Sequence, residues 1–370
     1  MNETFRTRFP VGTTLSFAAY MDFALYDEVV GFYATAGGAG RRGDFITSPE
    51  VGPLFGALIA RRLDEEWLAL GSPETFVVVE WGAGPGTLAR SVAFAAPACS
   101  DALRYVMVDR SARQRELHAV HLEGWSGDLD ADELDAFFRI TQSGPRFASS
   151  ANSPESFSGV ILANELLDNL AFDIVRHDGE GNFERLNVHH AEDGLEFVVA
   201  PTEVPASFAP VLASAAVGEW MPLQEDAVRW LMAAMDRLKR GVVITIDYGA
   251  STAEIAARPE MGWLRTFAGQ ERSGHPLDAP GSCDITTDVA IDQLATVLVP
   301  TVMTTQRQFL ERLGIAQLVE EGRQIWTEKA SAPDVVALRA RSRIGEAEAL
   351  LEQGGLGDFF LTEWSVRPAT

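Results

Sequence analysis

A glycine-rich turn between two apolar segments constrains the fold of this chain more than any other stretch. Residues 76–81 read FVVVEW, and glycines follow at alternate positions, Gly82, Gly84 and Gly86. The β-branched run predicts a buried strand, and the PGTLARSVAFA that follows predicts a helix. Glycine permits conformations and close approaches that other residues do not. The stretch therefore predicts a strand, a tight turn and a helix that bring backbone close to a ligand.

Further apolar segments repeat this alternation of strand and helix. Strands are predicted at 104–109, 159–164 and 242–249, and helical patterns lie between them. Strands that are apolar throughout and alternate with helices indicate a parallel sheet with helices on both faces. We therefore expect an α/β fold with a mostly parallel, twisted sheet.

Two regions depart from that alternation. Residues 13–70 are predicted to be mostly helical, apart from a glycine-rich loop, and 172–200 has the pattern of two or three antiparallel strands. We expect a helical N-terminal extension over 1–74, with a loop that covers the cofactor. The main domain is then expected over 75–370, with a small β-rich insertion at about 172–240.

The composition restricts the partners of the chain. The formal net charge is −23, so nucleic acid is not an expected partner, because phosphate backbones would be repelled. No segment approaches the roughly 20 apolar residues of a membrane helix. The sparse cysteines, Cys99 and Cys283, are typical of a reducing compartment and form no metal-ligand spacing. The opening MNETFRTRFP lacks the apolar stretch of a signal peptide, so we expect a cytoplasmic protein.

The order of the glycines discriminates between two ligands. The dinucleotide fingerprint G-x-G-x-x-G needs glycine where this chain has Thr87, and Pro85 offers no N–H to a pyrophosphate. S-adenosylmethionine has no pyrophosphate, and E-x-G-x-G-x-G after a strand is the pattern of class I methyltransferases. Gly82 and Gly84 would admit its methionyl part, and Glu80 would bind its ammonium. The pattern favours this cofactor over a nicotinamide dinucleotide; a plain strand-to-helix turn is the structural alternative.

Polar side chains at the ends of two further strands extend the predicted cleft. Asp109 ends the second strand, where its carboxylate can accept from both ribose hydroxyls, although it can equally cap the following helix. Asn164, Glu165 and Asp168 follow the strand at 159–164. Because ligands bind at the carboxyl ends of strands in such sheets, we expect these three residues beside the methyl donor.

Two other groups of residues could bind ligands but have commoner structural roles. His118 and His121 lie three residues apart on a predicted helix, and no third ligand accompanies them, so no metal is expected. Trp220, Trp230 and Trp263 could bound an acceptor groove, but core packing is the commoner role of tryptophan.

Four stretches together resemble one family. They read LSFAAYMDFALYDEVVGFYA at 15–34, GDFITSPEVGPLFG at 43–56, VVEWGAGPGTLA at 78–89 and ILANELLDNLAFD at 161–173. This set resembles the MidA-like class I methyltransferases over nearly the whole chain. The resemblance implies their Rossmann-like fold and S-adenosylmethionine as the cofactor. Mitochondrial members act in assembly of respiratory complex I as protein arginine methyltransferases that make symmetric dimethylarginine, so the resemblance implies a protein arginine as the acceptor.

The resemblance also implies roles for individual residues. It implies that the N-terminal loop over the cofactor contributes a set of binding residues, namely Gly43, Asp44, Phe45, Thr47 and Ser48. It assigns Gly82, Gly84 and Gly86 to the cofactor turn and Asp109 to the ribose. It places Asn164 and Glu165 at the site of methyl transfer.

Methyl transfer from a sulfonium is an in-line displacement, in which the enzyme mainly positions donor and acceptor. A guanidinium is a poor nucleophile, but nearby carboxylates can orient it and localise its charge. We therefore expect Glu165 to be the main catalytic residue, together with Asn164 and Asp168; Asp44 and Asp247 are further carboxylates that could assist.

Several positions depart from the family pattern, among them Asn169-Leu170-Ala171, where many members have Ala-Leu-Pro. Phe267 and Gln270 stand where the family usually has tyrosine and histidine, and Asp288 stands where it usually has histidine. If those residues shape the acceptor pocket, the acceptor differs here. Two alternatives therefore stay open, namely a small-molecule O- or N-methyltransferase and an inactive assembly or binding protein with the same fold. The oligomeric state is open too, and a homodimer is one candidate.

Overall fold

The computed structural model describes residues 3–35, 47–268, 271–272 and 274–367. The strands in these ranges are β1 (Thr14–Ser16), β2 (Phe76–Trp81), β3 (Leu103–Val108), β4 (Trp125–Asp128), β5 (Arg146–Ser150), β6 (Phe157–Asn164), β7 (Asp173–His177), β8 (Phe183–His190), β9 (Leu195–Thr202), β10 (Met221–Leu223), β11 (Leu238–Asp247), β12 (Gly249–Ala250), β13 (Arg265–Ala268), β14 (Glu271–Arg272), β15 (Asp284–Thr286), β16 (Val289–Ala290), β17 (Val302–Thr305) and β18 (Phe360–Val366).

The helices of the same ranges are α1 (Glu3–Arg8), α2 (Phe17–Tyr26), α3 (Phe32–Thr35), α4 (Ser48–Val51), α5 (Pro53–Ala69), α6 (Thr87–Ala95), α7 (Ala112–His118), α8 (Ala131–Phe138), α9 (Ala209–Leu212), α10 (Glu225–Arg237), α11 (Thr252–Ala256), α12 (Ile291–Ala295), α13 (Gln306–Arg312), α14 (Ile315–Lys329) and α15 (Val335–Leu350). Short 3₁₀ turns lie at Leu167–Asn169, Pro259–Met261 and Leu356–Asp358. None of these helices combines the length and apolar composition of a membrane span.

Within the described ranges, eight strands form the main sheet, in the order β17-β18-β11-β6-β2-β3-β5-β4. All neighbours are parallel except β18, which runs antiparallel between β11 and β17. Trp81 of β2 is paired with Val108 of β3 and with Ala163 of β6, so these strands end together. The chain continues from β2 to β3 on one side and reaches β6 on the other. The ends of β2 and β6 therefore mark the switch point, where open α/β sheets bind ligands.

Both faces of the main sheet are buried, which explains why its strands are apolar throughout. On β2, Phe76 and Val78 belong to one core, and Val77 and Val79 belong to the other. Helices α5, α6, α13, α14 and α15 contribute to the first core, and α8, α10 and α12 contribute to the second. The predicted α/β class with a mostly parallel sheet is confirmed.

A second sheet carries the antiparallel strands expected over 172–200. Strands β7, β8 and β9 form a meander, β1 pairs with β8, and β10 pairs with β7. Helices α1 and α2 pack on this sheet around a third core that includes Phe5, Phe17 and Tyr20. The domain division at residue 74 and the bounds of the insertion stay predictions.

A buried ion network ties α5 to β18. The Arg62 guanidinium donates from Nε to Glu363 Oε1 at 2.8 Å and from Nη2 to Glu363 Oε2 at 3.0 Å. Arg62 also contacts Glu66 at 3.3 Å, and Glu66 accepts further hydrogen bonds from Arg367. The bidentate pair between Arg62 and Glu363 fixes the helix against the strand inside the core.

Candidate active site

A cleft of about 370 Å³ lies at the carboxyl ends of β2, β3 and β6. The turns after these strands form one side of it. Its remaining wall combines residues from distant parts of the chain, including Tyr26, Tyr33, Thr47, Pro49, Glu50, Ala151, Asn152, Ser153, Trp230 and Arg237. The cleft therefore occupies the switch point of the main sheet.

The glycine turn has the conformation that requires glycine. The φ angles of Gly82, Gly84 and Gly86 are 68°, 52° and 76°, in the left-handed region. A Cβ at Gly82 would lie 2.8 Å from Leu166 Cδ1, whereas a Cβ at Gly84 would meet no atom within 4 Å. A side chain at Gly82 would therefore have to displace Leu166, whereas Gly84 leaves open space where backbone faces the cleft.

Two side chains, of which His118 is buried and Asp109 is half-buried, hold the peptide groups of Gly84. Its N–H donates to Asp109 Oδ2 at 2.9 Å, and its carbonyl lies 2.7 Å from His118 Nε2. Because a carbonyl only accepts, Nε2 carries the proton, and Ser149 donates to Nδ1 at 2.8 Å. Burial lowers the pKa of His118 to about 4, so the ring is neutral at pH 7. His118 therefore positions the glycine turn, a role that the sequence pattern did not indicate.

Among the residues that the structure describes, no group of three or more histidine, cysteine or acidic residues is arranged to bind a metal.

Glu80 lies at the floor of the cleft and is 4% exposed. Tyr105 donates its hydroxyl proton to Glu80 Oε2 at 2.8 Å. No cationic side chain in the described ranges lies within 4.0 Å of this carboxylate. Burial raises the pKa of Glu80 to about 8, although Tyr105 and Arg90 act in the opposite direction. A ligand that brings positive charge to this position would compensate the buried acid.

Asp109 links the turn after β3 to the glycine turn. Its Oδ1 accepts the N–H of Ser111 at 2.8 Å, and its Oδ2 accepts the N–H of Gly84 at 2.9 Å. Burial raises its pKa to about 6. Each carboxylate oxygen can accept more than one hydrogen bond, so capping the turn and binding a ribose are compatible. The ribose role stays a prediction.

Glu165 follows β6 in a strained conformation. Its φ is 51°, which is unusual for a residue other than glycine and is common at functional sites. Its Oε1 accepts the N–H of Ser48 at 2.9 Å and Nδ2 of Asn164 at 3.1 Å. Burial raises the pKa of Glu165 to about 8, and the charge of Asp168 acts in the same direction. Asn164 and Glu165 both line the cleft, as expected.

The structure places Asp168 away from the cleft wall. Its Oδ2 accepts from Tyr248 at 2.5 Å and from Thr286 at 2.7 Å. Asp247 lies behind the same turn, where its Oδ2 accepts the N–H of Leu167 at 2.9 Å. The 3₁₀ turn at residues 167–169 directs Asp168 into this buried polar layer. The expected position beside the methyl donor is therefore wrong for Asp168, which supports the turn from behind.

The predicted N-terminal loop is described only in part. Gly43, Asp44 and Phe45 lie outside the described residues. Thr47 lines the cleft, and Ser48 binds Glu165 through its N–H while its hydroxyl donates to Gln306 Oε1 at 2.9 Å.

Two of the residues that depart from the family pattern, Phe267 and Asp288, lie in the described part of the chain. Gln270 lies outside the described residues, and Phe267 is in β13. The buried carboxylate of Asp288 forms ion pairs with Arg258 and, at 3.1 Å, with Arg265. Asp288 is therefore neutralised by two arginines.

An aromatic wall that the sequence did not reveal completes the cleft. Tyr26 and Tyr33 stack with their ring centroids 5.5 Å apart, and the guanidinium of Arg110 lies 4.4 Å from the Tyr26 ring. The hydroxyl of Tyr33 donates to Asp284 at 3.1 Å. Trp230, one of the three tryptophans considered, also lines the cleft.

Comparisons with known proteins agree with the α/β fold and with the predicted cofactor. A family model of S-adenosyl-L-methionine-dependent methyltransferases matches residues 58–307. A Burkholderia thailandensis protein solved with bound S-adenosyl-homocysteine is similar in structure, with a TM-score of 0.75 and 26% identity, over 96% of this chain and 88% of that chain.

Two curated relatives carry a more specific name. Mouse protein arginine methyltransferase NDUFAF7, mitochondrial, is 28% identical over 319 residues, which are 81% of this chain and 71% of the relative. Its homologue from Drosophila melanogaster is 27% identical over 301 residues, 74% of this chain and 64% of the relative, so the match spans less than two thirds of the fly protein.

These relatives contradict the predicted cytoplasmic location, because their names place them in mitochondria. The prediction was wrong because sparse cysteine indicates a reducing environment and does not identify the compartment.

Proposed function

The chain belongs to the family of S-adenosyl-L-methionine-dependent methyltransferases matched over residues 58–307, and from this premise we propose that it methylates an arginine side chain of a protein. The same match and the S-adenosyl-homocysteine of the structural neighbour confirm the predicted cofactor. The names of the curated relatives support arginine as the acceptor. Symmetric dimethylation is the product that the family resemblance implies, and we include it in the proposal.

The residues of the cleft fit this cofactor. Glu80 is a buried acid without a cationic partner in the described ranges, and it would hold the ammonium of the methionyl part. Gly84 leaves room beside the turn, and Asp109 keeps lone pairs for the ribose hydroxyls. When bound, the cofactor supplies an electrophilic methyl group on a sulfonium.

Glu165 carries the proposal for the acceptor. Its carboxylate is half-buried at the carboxyl end of β6, in the same cleft as Glu80, and among the described residues only neutral groups donate to it, namely Ser48 N–H and Asn164 Nδ2. A guanidinium would supply the missing positive charge and donate to Glu165 Oε2. With the guanidinium so oriented, one of its nitrogens would face the methyl group that the bound cofactor would supply. That nitrogen then loses a proton, for which Glu165 is the nearest base in this arrangement.

The N-terminal region is proposed to close the cleft. Thr47, Pro49 and Glu50 already line it, and Glu50 Oε1 accepts from Thr87 Oγ1 at 2.5 Å at the start of α6. These contacts support an extension over residues 1–74 that covers the cofactor of the domain over 75–370.

Glu165→Gln tests the proposal. We expect the variant to bind S-adenosyl-homocysteine as the wild type does in isothermal titration, and to lose about 100-fold or more in methyl transfer. The acceptor is a protein extract from host cells that lack this protein, and the donor carries a tritiated methyl group. The exposed Glu116→Gln is the matched control.

Each outcome has a definite reading. Near-normal transfer by Glu165→Gln removes Glu165 from catalysis. Label that enters small molecules but not methylarginine contradicts the protein acceptor. Binding of S-adenosyl-homocysteine without any transfer by the wild type supports an inactive binding protein.

A further inference from the structure

A second groove, of about 600 Å³, lies beside the cleft, between α15 and the short helix α4. Glu50 belongs to the walls of both cavities, so the two are adjacent. We propose that this groove binds the segment of the acceptor protein that flanks the methylated arginine, with an acidic residue of that segment at Arg341. The proposal rests on the proposed function and names the surface that recognises the substrate.

Gly345 opens the floor of the groove. It lies inside α15, where glycine costs about 1 kcal/mol relative to alanine. A Cβ at Gly345 would meet no atom within 4 Å, so packing within the described chain does not require glycine there. Gly322 of α14 is the contrasting case, because a Cβ there would lie 2.5 Å from the carbonyl oxygen of Ala340. The bare helix surface at Gly345 instead leaves room for an extended backbone.

The outer end of the groove is positively charged and apolar. The guanidinium of Arg341 lies 4.8 Å from the Trp326 ring, and that of Arg339 lies 4.5 Å from the ring of Phe94, which is 61% exposed. Leu338, which lines the groove, is 52% exposed. Neither arginine forms an ion pair within the described residues. Arginine and aromatic residues are enriched where proteins bind one another.

The two acids of the groove do not neutralise Arg341. Glu346 is buried, and it accepts the N–H of Leu54 at 2.9 Å and the hydroxyl of Ser342 at 2.5 Å. Glu50 accepts from Thr87. In a chain whose net charge is −23, these stacked guanidiniums form a local cationic surface. Charge complementarity therefore selects an acidic residue with apolar neighbours as the occupant.

The length of the groove sets the spacing in the substrate. The lining runs along α15 from Ala349 to Leu338, which is about 16 Å at 1.5 Å per residue. An extended chain covers this length in about five residues, at about 3.3 Å each. One end of the groove lies near the cleft, because Glu346 packs against Gly52, two residues after Glu50 of the cleft wall. Leu338 and Arg341 therefore lie at the end away from the cleft. The acidic residue is thus expected about five or more positions from the methylated arginine.

Arg341→Glu and Gly345→Phe test the proposal by reversing the charge and by filling the groove. Transfer of tritiated methyl groups to proteins is measured with subsaturating extract from host cells that lack this protein. We expect each variant to lose about tenfold in rate while its Kd for S-adenosyl-homocysteine is unchanged. Arg139→Glu, which reverses the charge of an exposed arginine directly after α8, is the control expected to keep the wild-type rate.

Three results would overturn the proposal. Wild-type rates for both variants would show that the groove does not bind the acceptor, while the proposed function would stand. Absence of transfer by the wild type would overturn the proposed function and this inference together. A change of oligomeric state in the variants, measured by light scattering, would identify the groove as an interface between copies of this chain.

Discussion

Replacement of the cleft acid Glu80 by glutamine is expected to change how stability depends on pH. Burial raises the pKa of Glu80 to about 8, from an ordinary value of 4.5. An acid whose pKa is higher in the folded than in the unfolded state binds more protons when folded. The free energy of unfolding therefore falls as the pH rises from about 4.5 to about 8, and this contribution is constant outside that window.

The size of the effect follows from the same two values. At 1.36 kcal/mol per pH unit, the contribution of Glu80 falls by about 2.7 kcal/mol between pH 5 and pH 7. Glutamine binds no proton, so it lacks this dependence. Its carbonyl can still accept from Tyr105, but its buried amide group gains unsatisfied donors at a cost of about 1–3 kcal/mol. Glu80→Gln should thus be less stable than the wild type at pH 5 and about as stable or more stable at pH 7.

Urea titrations of the ligand-free proteins at pH 5, 6 and 7, followed by tryptophan fluorescence, measure this difference. Glu116→Gln, which replaces an exposed acid, should follow the wild type at every pH. A constant difference between Glu80→Gln and the wild type across this range would refute the reasoning, since it would mean that Glu80 is ionised in the folded protein at pH 5. At pH 7, Glu80→Gln should also bind S-adenosylmethionine about tenfold more weakly, because a charge-assisted hydrogen bond is lost.

Two further predictions concern other parts of the molecule. Arg62→Leu should lower the free energy of unfolding by about 3–5 kcal/mol, because it leaves the buried Glu363 without its cation. Urea titration measures this loss, and the double variant Arg62→Leu with Glu363→Leu should recover most of the lost stability. His118→Leu should raise the Kd for S-adenosyl-homocysteine about tenfold, because it leaves the carbonyl of Gly84 without a donor. His118→Gln can donate to that carbonyl and should recover much of the affinity. Equal Kd values for His118→Leu and the wild type, measured by calorimetry, would contradict the positioning role.

The sequence predicted the site best where residues follow buried strands directly. Glu80, Asp109 and Glu165 each lie at or next to the end of a parallel strand, and parallel strands bring those ends to one edge. Asp168 was misplaced because it lies past the strand end, where a short 3₁₀ turn decides the direction of its side chain.

Residues from distant helices could not be placed in the same way. Tyr26 and Tyr33 reach the cleft from the N-terminal helices, and His118 reaches the glycine turn from α7. Hydrophobic periodicity identifies such helices but does not indicate which side of the sheet or which loop they pack against. The same limit applies to β18, since the apolar pattern of Phe360–Val366 predicts a strand but not its place between β11 and β17.

The position of β18 has a consequence for synthesis of the protein. During translation, the backbone edge of β11 stays unpaired until more than a hundred further residues have been added after Asp247, because its neighbour begins only at Phe360. A nascent chain that has already assembled the cofactor-binding strands therefore presents an open apolar edge, which is prone to wrong pairing. We expect ribosome-bound intermediates of this protein to depend on chaperones until β18 emerges from the exit tunnel.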